Sequence, residues 1–240
     1  MNGPYDEPGV AGPDDDDPTR PAVAGPGDGD PGAAKRALRD RVLERRDAMA
    51  SAQRRTCGAA LRARLIALPV VVRARTVLCF ASFRSEVDTA PFIDWCLEQG
   101  KTVALPRIVG PRHMEAFAVT DPDHDLVPGR WDIPEPRQGL PLVDPASIDV
   151  VVVPGSAFDD EGGRMGYGGG FYDAFLRRMR RDSCRIGIGF DLQMVERVPC
   201  EAHDLCVDLV VTESCAIEAA PRTAGHVVAP RRHPSPPASD

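Results

Sequence analysis

Two stretches of helical periodicity open the patterned part of the chain. Over residues 34–49, Leu38, Val42 and Met49 recur on one side among Arg and Glu, and from Ser51 the spacing continues through Cys57, Leu61, Leu65 and Leu68. Ser51 reads as the N-cap of this second helix and Pro69 as its end. Beyond Pro69 short apolar runs alternate with helical segments. Strands are predicted over 76–81, 101–105, 114–119, 149–153, 185–190 and 207–212, and helices over 91–98, closed by Gly100, and 171–181. Residues 120–146 read as a Pro-rich connection. The run Val150 to Val153 is unbroken and β-branched, as a central parallel strand buried on both faces requires.

This order predicts an α/β fold. A single layered domain has a mainly parallel central sheet flanked by helices, with a helical pair at its N-terminal side. In such sheets ligands collect beyond the carboxyl ends of the strands, which directs attention to the segments after Ala81, Val153 and Phe190.

The pattern stops at both ends. Residues 1–32 hold eight acids, one Arg and few large apolar side chains, and 221–240 are similarly poor in core-forming residues. Neither segment buries enough surface to offset its ordering entropy, so disordered tails are expected at 1–32 and 221–240 around a folded body at 33–220. The formal charge of −7 belongs to the acidic N-terminal segment. The body is near neutral and gives no nucleic-acid footprint.

Seven cysteines occur without a Cys-x-x-Cys pair, which suits free thiols in a reducing compartment. The segment Cys200-x-x-His203-x-x-Cys206 has no evident fourth ligand and fits no common zinc spacing. No apolar run is long enough to span a bilayer, and the first residues are polar and acidic. A cytoplasmic protein is expected, with no membrane association and no obligate protein partner.

Between the strand ending at Val153 and the helix beginning near Phe171 lies a loop containing Gly162, Gly163, Arg164, Met165, Gly166, Tyr167, Gly168, Gly169 and Gly170. Glycines let backbone N–H groups approach a polyanion without Cβ obstruction, and a following helix terminus adds aligned donors. Arg164 offers a forked cation to phosphate oxygens. The loop is not a Walker A loop, because no Gly-Lys-Ser/Thr follows. Nor is it a dinucleotide fingerprint, because Phe171 stands where the third glycine belongs.

The run from Arg164 to Asp173, Arg-Met-Gly-Tyr-Gly-Gly-Gly-Phe-Tyr-Asp, resembles the ATP-binding signature of the 5-formyltetrahydrofolate cyclo-ligase family. Residues 153–159 resemble the strand and turn preceding it there. In the same order, Ala34-Lys35-Arg36-Ala37-Leu38-Arg39 resembles the family's basic first helix, and Glu86-Val87-Asp88-Thr89 its folate-side Glu motif. Trp131-Asp132-Ile133-Pro134 resembles a Trp-x-Ile-Pro segment, and His203-Asp204 with 207–213 the last strand. Ala174 departs from the Arg that many relatives carry.

The resemblance implies an ATP- and Mg²⁺-dependent enzyme acting on a small folate. It assigns the nucleotide to Lys35, Arg36, Ala37, Leu38, Arg39 and to Arg164, Met165, Gly166, Tyr167, Gly168, Gly169, Gly170, Phe171 and Tyr172. Lys35, Arg39 and Arg164 are the expected catalytic cations. Folate is implied at Arg39, Ala81, Glu86, Trp131, Tyr167, Gly168, Gly169, Gly170 and Phe171. Asp173, beside a triphosphate, suits Mg²⁺, which takes one or two carboxylates plus phosphate oxygens; Asp208 matches the family's second metal position. Asp88 is read as capping the 91–98 helix rather than binding ligand. Lys35 and Arg39 lie four apart and share a helix face. The implied chemistry converts a formyl oxygen to a leaving group by phosphorylation, and the neighbouring amine then closes the ring. Two other readings stand beside it: a non-catalytic nucleotide- and folate-binding module of similar sequence, and a sugar-phosphate isomerase or acyl-transferase relative.

Overall fold

Pro31 begins the first helix, where its missing N–H costs no hydrogen bond. A computed structural model describes residues 31–200 and 204–220, and these described residues form one unit. The tails expected at 1–32 and 221–240 fall outside the described residues except for 31–32, which belong to α1.

The helices are α1 (Pro31–Asp47), α2 (Ser51–Ala67), α3 (Pro69–Arg73), α4 (Ala90–Glu98), α5 (Pro122–Asp125) and α6 (Phe171–Leu176). The strands run β1 (Thr76–Leu78), β2 (Thr102–Gly110), β3 (His113–Val119), β4 (Leu126–Pro128), β5 (Pro134–Pro136) and β6 (Leu142–Val143). They continue with β7 (Val150–Val153), β8 (Ala157–Phe158), β9 (Arg164–Met165), β10 (Cys184–Ile188), β11 (Leu209–Val211) and β12 (Ala216–Glu218).

Eight strands form the main sheet in the order β12-β11-β10-β7-β1-β2-β3-β6. The five from β11 to β2 are parallel, and β12, β3 and β6 are antiparallel to their neighbours. The expected mainly parallel sheet is therefore present. Strand alternation sorts its side chains between two faces. Val77, Val103, Val150, Val152 and Ile186 pack with Leu61, Leu65, Phe92 and Ile93 of α2 and α4. Leu78, Ala104, Val151, Val153 and Val210 face the other way, onto Phe158 and onto Phe175 and Leu176 of α6. All four valines of β7 are fully buried, each stabilising the fold by about 1.5–3 kcal/mol.

Several boundaries differ from the sequence reading. Ser51 is the first residue of α2, and Ala50 precedes it with no side-chain cap. Pro69 does stop α2, but it also opens α3, since a proline is tolerated in a first turn. The 171–181 helix ends at Leu176. The 120–146 segment is not a plain connection: it holds α5, the antiparallel pair β4–β5, and β6. Pro128, Pro134 and Pro136 sit on these short strands away from the main ladder, where a missing N–H is tolerated. The N-cap of α4 is Thr89, not Asp88; Asp88 stands one residue before it and accepts from the N–H of Ala90, the first residue of the helix, at 3.1 Å.

Candidate functional site

From β1 the chain turns one way to β2, and it later returns to place β7 on the other side of β1. The carboxyl ends of β1 and β7 therefore diverge, and a crevice opens there by topology alone. Arg46, Phe80, Glu86, Pro154, Ile188 and Gln193 line its floor, a cavity of about 10 Å³. Gln193 is 2% exposed; its Nε2 donates to the carbonyls of Gly155 and Ser156, and its Oε1 accepts from the N–H of Phe190. This single amide fixes the strand ends around the crevice. The buried Asp159 does the same for the β8–β9 hairpin, accepting from the amides of Glu161, Gly163 and Val198.

That hairpin, unforeseen in the sequence, carries the glycine loop. Arg164 and Met165 are buried in β9, while Tyr167 to Gly170 are exposed. Gly168 takes φ of +92°, and a Cβ there would meet the Arg39 guanidinium at 3.6 Å. Gly170 lies before α6 at φ of +68°, a left-handed conformation that favours glycine. The ring of Phe171 folds back on the loop, 2.7 Å from where a Cβ on Gly169 would stand.

Arg164 does not present its fork to solvent. Its side chain is 4% exposed, Nη1 donates to the carbonyl of Pro154, and Nη2 lies 3.1 and 3.0 Å from the two oxygens of Asp173. The expected phosphate clamp is instead an internal strut beneath the loop, because the β8–β9 hairpin turns this residue inward. Its Nε and the Tyr172 hydroxyl are buried without a hydrogen-bond partner. Burial drives the Tyr172 phenol far above its ordinary range, so it stays neutral.

Helix α1 faces the loop with Lys35, Arg39, Val42 and Arg46, which recur along one side. Val42 anchors this side among Ala157, Met165 and Val198, with Leu38 packed against them. Arg39 Nε donates to the carbonyl of Gly166 at 3.2 Å. Lys35 Nζ pairs with Asp204 at 2.9 Å, one residue before Leu205, whose N–H donates to Asp173. Arg36 and Ala37 are exposed.

Arg46 was not singled out in the sequence. It is 3% exposed, and its Nη2 donates to the Tyr167 hydroxyl at 3.0 Å. That hydroxyl donates in turn to Oε1 of Glu86 at 2.7 Å. Burial pushes the Glu86 carboxyl up, against the opposing hydrogen bonds from Tyr167 and the Phe83 amide and the charge of Arg46. Burial, together with Glu86, holds the Tyr167 phenol up at about 12, so it remains a donor. Ala81 lies on the same loop as Glu86, half-buried. The helical spacing of 35, 39, 42 and 46 is the signal that marks Arg46.

Two expected residues stand apart. Asp208 precedes β11 and accepts from the amide of Arg185 at 2.7 Å, at the start of β10. It therefore lies at the amino end of the parallel strands, opposite the crevice, and not beside Asp173. Trp131 is 59% exposed near the β4–β5 turn, with φ of +59° and the Arg130 guanidinium 4.4 Å from its ring centre. A larger cavity of about 410 Å³ lies between the projecting end of β2 and this hairpin, lined in part by Arg107, Val109, Val127 and Glu135. None of the expected ligand residues lines it. His203 lies outside the described residues. Among the described residues no group of three or more His, Cys, Asp or Glu is placed to hold a metal, and no helix is long and apolar enough to cross a membrane.

Comparison with known proteins bears on the family and the fold. Escherichia coli 5-formyltetrahydrofolate cyclo-ligase is 37% identical over 177 residues, covering 72% of this chain and 97% of that protein. The Mus musculus protein of the same name is 28% identical over 191 residues, covering 75% and 94%. The NMR structure of Aquifex aeolicus 5,10-methenyltetrahydrofolate synthetase superposes with a TM-score of 0.70 at 32% identity, covering 80% of this chain and 97% of that one. Residues 31–213 match the profile of the 5-formyltetrahydrofolate cyclo-ligase family, and the chain belongs to that family.

Proposed function

We propose that the chain cyclises 5-formyltetrahydrofolate to 5,10-methenyltetrahydrofolate at the expense of ATP, releasing ADP and phosphate. One observation carries this reading beyond family membership. The exposed loop from Tyr167 to Gly170 lies between Arg39 on one side and the Glu86 carboxylate on the other. Arg39 and Lys35 suit a triphosphate, and Glu86 suits the N–H donors of a pterin ring.

An N-formyl amide is a weak electrophile. In the proposed reaction its oxygen attacks the γ-phosphorus of ATP, and the bond to the β-phosphate oxygen breaks to release ADP. The lone pair of N10 then attacks the activated formyl carbon. The carbon–oxygen bond breaks, phosphate departs, and N10 loses its proton to water. No protein nucleophile is needed. The contribution of the chain is positioning and charge stabilisation. Lys35 and Arg39 face the charge that develops on the phosphates, and the loop backbone shapes the path. Ala81, Tyr167 and Phe171 are the proposed walls for the folate.

Asp173 fits a metal bound mainly by phosphate. Its carboxylate has about four acceptor positions, and Arg164 and the Leu205 amide take three. One direction is left, which suits a single Mg²⁺ contact. When bound there, Mg²⁺ supplies positive charge to the transferring phosphoryl group. The seven cysteines, with no Cys-x-x-Cys pair among them, support placing the protein in the reducing cytoplasm.

The test is the absorbance of methenyltetrahydrofolate in mixtures of the chain, 5-formyltetrahydrofolate, ATP and Mg²⁺. Product should form only when all are present. Turnover without ATP would refute the phosphorylation route, and equal turnover with EDTA would refute the metal.

A further inference from the structure

Arg46 belongs to neither half of the site as described, yet it touches both. It sits at the end of α1, and its Nε donates to the Ser85 hydroxyl at 3.0 Å, beside Glu86. Ser85 in turn donates to Asp47. Its Nη2 reaches the Tyr167 hydroxyl on the glycine loop. A guanidinium can only donate, so the phenol must accept from Arg46 and has one proton left for Glu86. The direction of the chain Arg46→Tyr167→Glu86 is therefore fixed by chemistry. Three segments distant in sequence meet here: the end of α1, the loop after β1, and the glycine loop.

Burial makes the arrangement consequential. Arg46 is 3% exposed, so it cannot contact a ligand seated in the open part of the crevice. A buried guanidinium is costly unless its charge is answered. Asp47 answers it through Ser85, and Glu86 through Tyr167. The groups facing Glu86 are Arg46 from α1, Tyr167 from the loop, and Tyr172 from α6.

We propose that Arg46 is a positioning residue: through the Tyr167 hydroxyl it holds the Glu86 carboxylate aimed at the folate and ties it to the nucleotide loop. This rests on the folate reading of Glu86. Its consequence is linkage. A nucleotide that orders the glycine loop also orders Tyr167, and so favours folate binding; by reciprocity folate favours the nucleotide.

Two variants of the full chain test this, Tyr167→Phe and Arg46→Lys. Tyr167 is 52% exposed, so loss of its hydroxyl does not threaten folding and keeps the test decisive if Arg46→Lys folds poorly. Michaelis constants for 5-formyltetrahydrofolate are measured across pH with ATP and Mg²⁺ saturating. Tyr167→Phe should raise the constant about tenfold while kcat changes little. Folate needs the ionised carboxylate, so affinity falls as pH drops through the Glu86 value. Losing the phenol hydrogen bond raises that value, and the acidic limb should move to higher pH in both variants. The double variant should be no worse than Tyr167→Phe alone, because both act along one chain. An unmoved limb, or additive losses, would overturn the role of Arg46. A wild-type chain that forms no methenyl product would instead overturn the folate reading, and this role with it.

Discussion

Nη2 of Arg164 lies within 3.1 Å of both carboxylate oxygens of Asp173, with the arginine side chain almost wholly enclosed. The pair joins β9 to the first turn of α6 and so sets the span of the glycine loop from both ends. Truncating Asp173 to Ala leaves a buried guanidinium without its counter-charge. The unfolding free energy should fall by about 3–5 kcal/mol, read from urea denaturation. Asp173→Asn keeps an acceptor and should cost less stability, while still losing most turnover if the carboxylate contacts the metal.

Arg39 should behave differently. It lies half-buried over the loop and donates to Gly166, and its removal creates no enclosed charge. Arg39→Ala should raise the Michaelis constant for ATP by about tenfold or more with little change in the denaturation midpoint. Steady-state kinetics with each substrate varied in turn checks this. An unchanged ATP constant would remove Arg39 from the nucleotide side.

A third expectation concerns pH and lies far from the crevice. Asp125 is 4% exposed and accepts from the amides of Thr120 and Asp121, with Arg137 at 3.2 Å. The Thr120 amide leads the groups that hold its carboxyl below the ordinary range. The folded value is thus lower than the unfolded one. Its contribution is present above the unfolded value and is lost as pH falls through the folded one. Asp125→Asn should destabilise the chain at neutral pH, and the gap to wild type should narrow towards about pH 3. Urea midpoints at both pH values measure it.

Gly187 tests the packing behind the site. A Cβ there would stand 2.5 Å from the ring of Phe158, which is itself fully buried. Gly187→Ala should lower stability by about 1–3 kcal/mol, and Phe158→Leu in the same chain should restore part of the loss. Thermal melts of the single and double variants decide.

The sheet was legible because its signal is local. Val150 to Val153 have no polar position, and such a run is at home only in a central strand. The Pro-rich stretch hid β4 and β5 because those strands are three residues long and pair only with each other. The glycine loop was legible from its composition, yet the orientation of Arg164 was not. A cation beside glycines reads as a ligand group, and only the β8–β9 pairing turns it inward. Asp208 failed for a similar reason. Sequence places it in a β-run, but which end of a strand faces the crevice is a property of the whole sheet. Arg46 was hidden among abundant arginines, though its spacing from Lys35 and Arg39 marks the shared face.

The most direct measurement is calorimetric titration of Glu86→Gln with each substrate separately. The change is nearly isosteric, and Glu86 holds the loop through Tyr167 and the Phe83 amide. The account predicts that the heat of 5-formyltetrahydrofolate binding is largely lost, while ATP with Mg²⁺ binds the folate-free variant as it binds wild type. Full folate affinity in this variant, or loss of ATP affinity alone, would contradict the division of the site between Glu86 and the α1 cations.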